Sequence, residues 1–243
     1  MNKIASFCII MLSIIFISSN VMAAQKVKKD KFFVPENSGT TKVGRYFLSV
    51  GDDSHKIFVH EKKGKQFIEH ESIPLILEDA EAICMVKDFS NGVATIAIYA
   101  NNSIIELSIN ADLQIINHTT HKLAIDKKIE SLEFLPELNT YIMADRKSKG
   151  DESVGNGQFY FVNPYTFEVE KAQLVSKGKK PTDMHYYKGV LYVLHEKYIE
   201  RYKFKTKTDY KVLKPIKLKK KVKDVESIVV TKKKFYIFRD KKK

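Results

Sequence analysis

Tryptophan is absent from this chain of 243 residues, and glycine, proline, cysteine and arginine are scarce. The lack of tryptophan argues against WD-repeat proteins, whose repeats carry a Trp-Asp signature. Only four of the 42 basic residues are arginine. Because arginine is the usual residue for bidentate recognition of phosphates and bases, its scarcity disfavours nucleic acid as a partner.

The chain also lacks several features that carry known chemistry or a helical fold. No segment of a dozen residues keeps an apolar period of 3.6, which disfavours an α-helical class. No glycine-rich phosphate loop, nucleophile elbow or paired-cysteine metal box is present. These absences exclude the common nucleotide-binding, serine-hydrolase and zinc-finger patterns.

The only long apolar stretch lies at the N-terminus, in residues 4–17. Lys3 precedes it, and the small residues of 21–23 follow it, which is the pattern of a cleaved signal peptide. The alternative, an uncleaved anchor helix, needs about 20 continuous apolar residues. We therefore expect residues 1–24 to be a signal peptide and the mature protein to be periplasmic or secreted, not membrane-spanning.

Removal of this segment would leave Cys84 as the single cysteine. A single cysteine cannot form an intramolecular disulfide, so core packing must hold the exported domain together. Cys84 lies in an apolar run and is expected to be a buried hydrophobic residue rather than a reactive thiol.

The net charge is +13, and most of the excess lysine lies in the last third of the chain. Lysine runs occupy residues 214–223, 232–234 and 241–243. Such runs are typical of solvated strand edges, where lysine also discourages edge-to-edge aggregation. The alternative is long-range attraction to an anionic component of the cell envelope.

A supersecondary unit repeats along the chain. Each unit opens with a short strand-like segment that carries an acid, and a second apolar strand then ends in a polar residue. The opening segments are 79–83 (DAEAI), 128–132 (KIESL), 181–185 (PTDMH) and 224–228 (DVESI). The acids recur at intervals of 49, 53 and 43 residues. Propeller blades repeat at roughly 40–50 residues, so the spacing predicts a β-propeller.

The last unit stops after two strands, which indicates how the ring closes. A closed propeller commonly completes one blade with strands from both chain ends, since this removes open sheet edges. We therefore predict an all-β fold, a small propeller of five blades closed by both termini. Residues 25–44 are expected to be a flexible basic lead-in, and residues 45–243 the single propeller domain.

The first strand of each blade lines the central channel, so the repeated acids are the predicted ligand or metal site. The channel candidates are Glu81, Glu130, Asp183 and Glu226, and the mouth candidates at the ends of second strands are Asp53 (or Asp52), Asn101, Asp145, Glu196 and Asp240. Converging oxygen ligands suit a hard cation such as calcium. There are two alternatives to a metal ion: the acids bind a cationic organic ligand, or each acid simply pairs with a lysine. His185 and His195 are expected near these acids, with a surface or packing role; binding of a transition metal or acid–base chemistry is the alternative.

The segments 79–83 (DAEAI) and 224–228 (DVESI), together with the strands 141–145 (YIMAD) and 235–240 (FYIFRD) that end in an acid, resemble the phytase-like and SdiA-regulated group of exported bacterial β-propellers. The resemblance implies the propeller fold, and it departs from the group's pattern where Ala82 and Ser227 replace glycine. We expect a non-catalytic protein that binds a small ligand or a protein partner on one propeller face. A calcium-dependent, phytase-like phosphohydrolase is the alternative.

Overall fold

The computed structural model describes residues 24–26, 32, 34–52, 54–145, 157–177, 181–218, 225–232 and 234–239, and every regular element in these ranges is a β-strand. The strands are β1 (Ala24–Lys26), β2 (Asn37–Val43), β3 (Tyr46–Gly51), β4 (Lys56–Lys63), β5 (Gln66–Glu69), β6 (Ile73–Pro74), β7 (Ala80–Ser90), β8 (Val93–Ala100), β9 (Ser103–Asn110), β10 (Ile115–Lys122), β11 (Ile129–Leu135), β12 (Thr140–Asp145), β13 (Gln158–Val162), β14 (Val169–Val175), β15 (Asp183–Tyr187), β16 (Val190–Leu194), β17 (Tyr198–Phe204), β18 (Tyr210–Lys217), β19 (Val225–Val230) and β20 (Phe235–Arg239).

Four consecutive antiparallel sheets form the blades of a β-propeller. The first blade holds β2 to β5 with the short β6 paired to β4, and the second, third and fourth hold β7–β10, β11–β14 and β15–β18. In each blade the strands follow chain order from the inner edge to the outer edge. This is the up-and-down arrangement that the repeated strand pairs predict.

The prediction of five blades is wrong in number, since the described residues form four complete blades. The remaining sheet, which we call the closing sheet, has three strands in the order β1-β20-β19. Its strand β1 pairs in parallel with β20, with Ala24 opposite Phe235. A segment from near the N-terminus and the C-terminal hairpin therefore share one sheet, and within the described residues this sheet lacks a fourth strand.

The core lies between neighbouring sheets rather than inside any one of them. Five apolar clusters fill the five junctions, from the first and second blades around to the closing sheet and the first blade. The inner strands β2, β7, β11, β15 and β19 contact one another in that order, and β19 contacts β2. The ring is thus closed, and Cys84 is fully buried at the second junction as expected.

Residues that tolerate positive φ values form the tight turns of two hairpins. Asn91 and Gly92 both have positive φ values, 53° and 77°, in the two-residue turn between β7 and β8. Such turns require the left-handed region at both positions, which asparagine and glycine tolerate best. Lys188 and Gly189 repeat this geometry between β15 and β16 with φ values of 49° and 78°.

The propeller begins earlier in the chain than the predicted boundary at residue 45. Asn37–Val43 is the inner strand of the first blade, and almost all of it is buried. The predicted lead-in therefore contains an integral strand, whose first residues, Asn37, Ser38 and Gly39, are typical of turns and hid its strand character. Residues 1–23 of the predicted signal peptide lie outside the described residues. Among those described, no helix is long and apolar enough to cross a membrane.

Candidate functional site

A one-residue irregularity recurs at the start of the inner strands and builds the candidate site. In β2, β7, β11 and β19 the pairing with the second strand skips one residue. The skipped residues are Ser38, Glu81, Glu130 and Glu226. A bulged residue leaves the hydrogen-bonded ladder, and its side chain is re-aimed. The same position in successive blades therefore points at the same end of the channel.

These residues line one polar pocket of about 210 Å³, which we call the axial mouth. Its lining residues are Glu36, Asn37, Ser38, Asp52, Glu81, Lys128, Glu130, Thr182 and Glu226. Five of them carry carboxylates and one carries an ammonium group. In a protein with a net charge of +13, this is a local concentration of negative charge.

Three of the four predicted channel acids meet at the axial mouth, and Asp183 does not line it. In the fourth blade Thr182 takes the position that glutamate holds in three other sheets and Ser38 holds in the first, and its N–H donates to Leu194 O at 3.0 Å. Asp183 pairs with Leu194 and so corresponds to Ala82, which pairs with Tyr99. The predicted repeat alignment was thus displaced by one residue in this blade.

Lys128 partly neutralises the axial mouth. Its Nζ lies 3.5 Å from Glu81 Oε1 and 3.6 Å from Glu130 Oε1. The lysine side chain is 59% exposed, whereas those of Glu81 and Glu130 are 14% and 10% exposed. The predicted alternative of lysine pairing therefore describes part of this site, with one ammonium group shared between two carboxylates.

Burial and repulsion raise the pKa of Glu81 to about 7. The largest cause is burial, followed by the negative charge of Glu130; Lys128 acts in the opposite direction. Asp79 and Asp52 raise the pKa of Glu81 further. A carboxyl group in this state exchanges protons near neutral pH, and a bound cation would hold it ionised.

A subset of these acids has spacing suited to a metal ion. One oxygen each from Asp52, Asp79 and Glu81 lie within 4.8 Å of one another. Asp52 follows β3 in the first blade, and the other two residues begin the second blade. Oxygen ligands of this kind suit Ca²⁺, which takes six to eight of them. The site would need further ligands from water or from other residues of the mouth.

The predicted mouth candidates are dispersed. Asn101 lies in an exposed turn with φ of 45°, and its carbonyl accepts a hydrogen bond from Lys122 Nζ at 2.9 Å. Asp145 accepts the N–H of Gln158 at 2.7 Å and the hydroxyl of Tyr160 at 3.3 Å. Glu196 is exposed. Asp53 and Asp240 lie outside the described residues. Of the mouth candidates that the structure describes, Asp52, the alternative to Asp53, lines the axial mouth, and Asn101, Asp145 and Glu196 do not.

The two histidines expected near the channel are buried in separate places. His185 Nδ1 lies 3.6 Å from Glu133 Oε2, and burial lowers the pKa of His185 to about 4. Neither His185 nor His195 lines the axial mouth. This agrees with the packing roles that we expected for both.

His195 belongs to a buried polar cluster with Ser176, Glu200 and Tyr202. Its Nε2 is 3.2 Å from Ser176 Oγ and 3.5 Å from Glu200 Oε2, and the hydroxyl of Tyr202 donates to the same glutamate oxygen at 2.6 Å. A nucleophile–base–acid relay needs serine and acid on opposite nitrogens of the imidazole ring. Here both contact Nε2, so the cluster links the third and fourth blades structurally.

Sequence reasoning missed several residues of the axial mouth. Glu36 precedes the first blade, in the segment predicted to be a lead-in. Lys128 lies two residues before Glu130. Because side chains two residues apart in an extended chain lie on the same face, this spacing could have placed Lys128 beside Glu130. Thr182 could be found only from the pairing register, because threonine carries no ionic signal.

No protein-family model matches this chain, and no curated protein matches it in sequence. Solved structures match in fold. A glutaminyl cyclase from Myxococcus xanthus is 13% identical, with a TM-score of 0.54, and the match covers 85% of this chain and 86% of that one. A chain of a nidogen/laminin complex is 12% identical, with a TM-score of 0.52, covering 84% and 72%.

A functionally unknown protein from Desulfotomaculum acetoxidans DSM 771 is 10% identical, with a TM-score of 0.46. The match covers 85% of this chain, which spans only 64% of that protein. At such low identities the likeness shows the fold alone. The resemblance to the phytase-like group is not confirmed by these matches.

Proposed function

We propose that the protein binds a small cationic ligand at the axial mouth, with a metal ion such as Ca²⁺ as the first choice. The observation that carries this proposal is the convergence of Glu81, Glu130 and Glu226, from three different sheets, on one pocket of about 210 Å³. The pocket suits a metal ion or one ammonium group. Carboxylates that repel one another gain most when a cation enters between them.

Binding to the folded state alone would stabilise it by mass action. At a ligand concentration 100 times the dissociation constant, the gain is about 2.7 kcal/mol. Thermal unfolding should therefore be followed with a chelator, and then with Ca²⁺, Mg²⁺, Zn²⁺ and the diamine putrescine in separate samples. We expect at least one cation to raise the melting temperature of the parent.

Two variants at the axial mouth and one matched control assign the effect to this site. Glu81→Gln and Glu226→Gln remove a carboxylate from the pocket, whereas Glu69→Gln removes one from the exposed outer strand of the first blade. The first two should lose the cation-dependent shift, and the third should keep it. A parent whose melting temperature responds to no cation, or a Glu69→Gln variant that loses the shift equally, would contradict this proposal.

Intramolecular cyclisation of an N-terminal glutamine is the second candidate function. Two observations favour it: the carboxyl of Glu81 has a pKa near neutral pH, and the glutaminyl cyclase from Myxococcus xanthus shares the fold over most of both chains. In such a reaction the amine attacks the side-chain amide carbon and ammonia leaves. A carboxylate would take the proton from the amine and return it to the leaving nitrogen.

Activity assays separate the binding protein from the two enzymes. A peptide with N-terminal glutamine reports cyclisation by its loss of ammonia, and phytate with calcium reports the phosphohydrolase by its release of phosphate. The binding proposal expects neither product above the background of a Glu81→Gln variant. Turnover that this substitution abolishes would replace the binding function by the corresponding enzyme.

We further propose that binding takes place in the periplasm or outside the cell. The apolar N-terminal segment and the following small residues support export. The lysine-rich strand β18, which is largely exposed, supports long-range attraction to anionic envelope material. Cell fractionation and N-terminal sequencing of the mature protein test the export, and co-sedimentation with anionic and neutral vesicles tests the attraction.

A further inference from the structure

The axial mouth already holds one cation, and the protein itself supplies it. Lys128 is the last residue of the connection between β10 and β11. Its Nζ lies 3.5 Å from Glu81 Oε1 on the second blade and 3.6 Å from Glu130 Oε1 on the third. Among the charges that act on the pKa of Glu81, Lys128 lowers it, whereas the neighbouring carboxylates raise it. The ammonium group of Lys128 therefore does for these two carboxylates what the proposed ligand would do.

These two contacts hold the ammonium group only weakly. Both distances exceed the roughly 2.7–2.9 Å of a strong hydrogen bond between an ammonium group and a carboxylate. The lysine side chain is 59% exposed, and exposed ion pairs contribute little because water screens them. Lysine carries its charge on a flexible four-carbon stem. The ammonium group can therefore exchange this place for solvent without any movement of a strand.

The two carboxylates, in contrast, belong to the folded ring. The side chains of Glu81 and Glu130 are only 14% and 10% exposed, and both residues lie on inner strands. One oxygen of Glu81 also lies within 4.8 Å of oxygens of Asp52 and Asp79. A cation bound by these acids would share Glu81 with Lys128, and two positive charges beside one carboxylate repel each other. The lysine and the ligand therefore compete for the same place.

We propose that Lys128 is a tethered competitor at the axial mouth: its ammonium group takes the place of the cationic ligand and is displaced into solvent when that ligand binds. This inference rests on the proposed function, since it concerns the control of the same site. The mouth then accepts a ligand only in the fraction of molecules in which Lys128 has moved away, and the apparent dissociation constant rises accordingly. An exposed lysine should weaken cation binding by a factor of roughly two to five.

Isothermal titration calorimetry of the mature protein with Ca²⁺ and with putrescine tests the competition, at a pH above the pKa of Glu81, which is about 7. Lys128→Gln removes the competitor and should lower the dissociation constant of the bound cation by a factor of roughly two to five. Lys127→Gln is the matched control, since it removes the same charge from the adjacent exposed residue, which does not line the mouth. It should bind as the parent does. Lys128→Arg keeps a positive group suited to carboxylates and should bind no more tightly than the parent.

A second measurement shows whether the lysine leaves the mouth. Acetic anhydride modifies free lysine amines, and mass spectrometry compares the rate of modification of Lys128 with that of Lys127 in the same protein. A saturating concentration of the cation that binds should raise this ratio by roughly the same factor of two to five, because displacement frees the Lys128 amine from both carboxylates. An unchanged ratio would mean that Lys128 stays in place, and it would contradict the displacement.

The outcomes separate this inference from the proposed function. If the parent and Lys128→Gln bind a cation with equal affinity, the mouth is a binding site and the competition is refuted. If only Lys128→Gln binds, Lys128 blocks the mouth, and the proposed function of the parent is refuted instead. If neither binds either cation, and the variant folds like the parent by circular dichroism, both proposals are refuted. Lys128 is exposed, so its replacement by glutamine is not expected to prevent folding.

Discussion

Replacement of Gly39 by alanine should destabilise the ring at the junction of the first and second blades. A Cβ atom built on Gly39 would lie 2.8 Å from Ile83 N and 3.0 Å from Ala82 Cα. Both contacts are with backbone atoms of β7, which is held in register by β8. The added methyl group therefore cannot be accommodated by rotation of a side chain, and one inner strand must move.

Overpacking of this kind typically costs about 1–3 kcal/mol. For a domain of this size each kcal/mol corresponds to roughly 2–4 °C, so the melting temperature should fall by about 2–12 °C. Calorimetry or thermal circular dichroism measures the shift. Ser38→Ala, one residue away and less buried, is the control and should change stability by no more than about 0.5 kcal/mol.

A second substitution tests whether the crowding is with backbone or side chain. Ala82→Gly removes the methyl group of Ala82 and leaves the crowded Cα and nitrogen atoms in place. Added to Gly39→Ala, it should give no recovery of the melting temperature. Full recovery in this double variant, or a Gly39→Ala protein as stable as the parent, would refute the close approach of β2 and β7 on which the ring geometry depends.

Three further predictions concern ionisable groups. The pKa of Glu81 is raised to about 7 from 4.5, so the stability that Glu81 contributes is present below pH 4.5 and lost as the pH rises through 7. The free energy of unfolding, measured by urea titration, should therefore fall less between pH 5 and pH 8 in Glu81→Gln than in the parent. With solvent screening taken into account, the difference should be on the order of 1 kcal/mol. His60 is buried, both its ring nitrogens lack partners among the described residues, and its pKa is lowered to about 4, mainly by burial. Its contribution to stability is present above pH 6.5 and lost as the pH falls through 4, so His60→Leu should move the acid-unfolding midpoint to lower pH. Burial raises the pKa of the Cys84 thiol well above its ordinary value, so a thiol reagent should modify Cys84 only when the protein unfolds, and rapid modification of the native protein would contradict its placement in the core.

The strands were largely predictable, because alternation of apolar and polar residues is a local property of the chain. The second blade illustrates this: the predicted opening segment 79–83 overlaps the start of β7, and Asn91 and Gly92 supply the turn that its first hairpin needs. The strand at Asn37–Val43 was missed, since two glycines, a serine and an asparagine near it read as a turn. Its burial comes from neighbouring blades, which no local pattern records.

The candidate site was partly predictable for the same reason. Glu81, Glu130 and Glu226 occupy one position of a repeated segment, and repetition alone places them at one end of the channel. Thr182 and Asp183 show the limit of that argument. A one-residue irregularity in pairing decides which of two adjacent residues enters the mouth, and it leaves no trace in composition or spacing.

The sequence by itself determined the all-β class, the repeating unit and the acids that open the inner strands, because each depends on residues close together in the chain. Only the tertiary structure decided that four blades are complete within the described residues and that Glu36 and Lys128 join Asp52 and the three glutamates. It also decided that Asp183 is fully buried and accepts the N–H of Ile228 instead of lining the mouth. These features arise where the ring closes, and closure brings together residues from separate sheets through contacts that no single segment encodes.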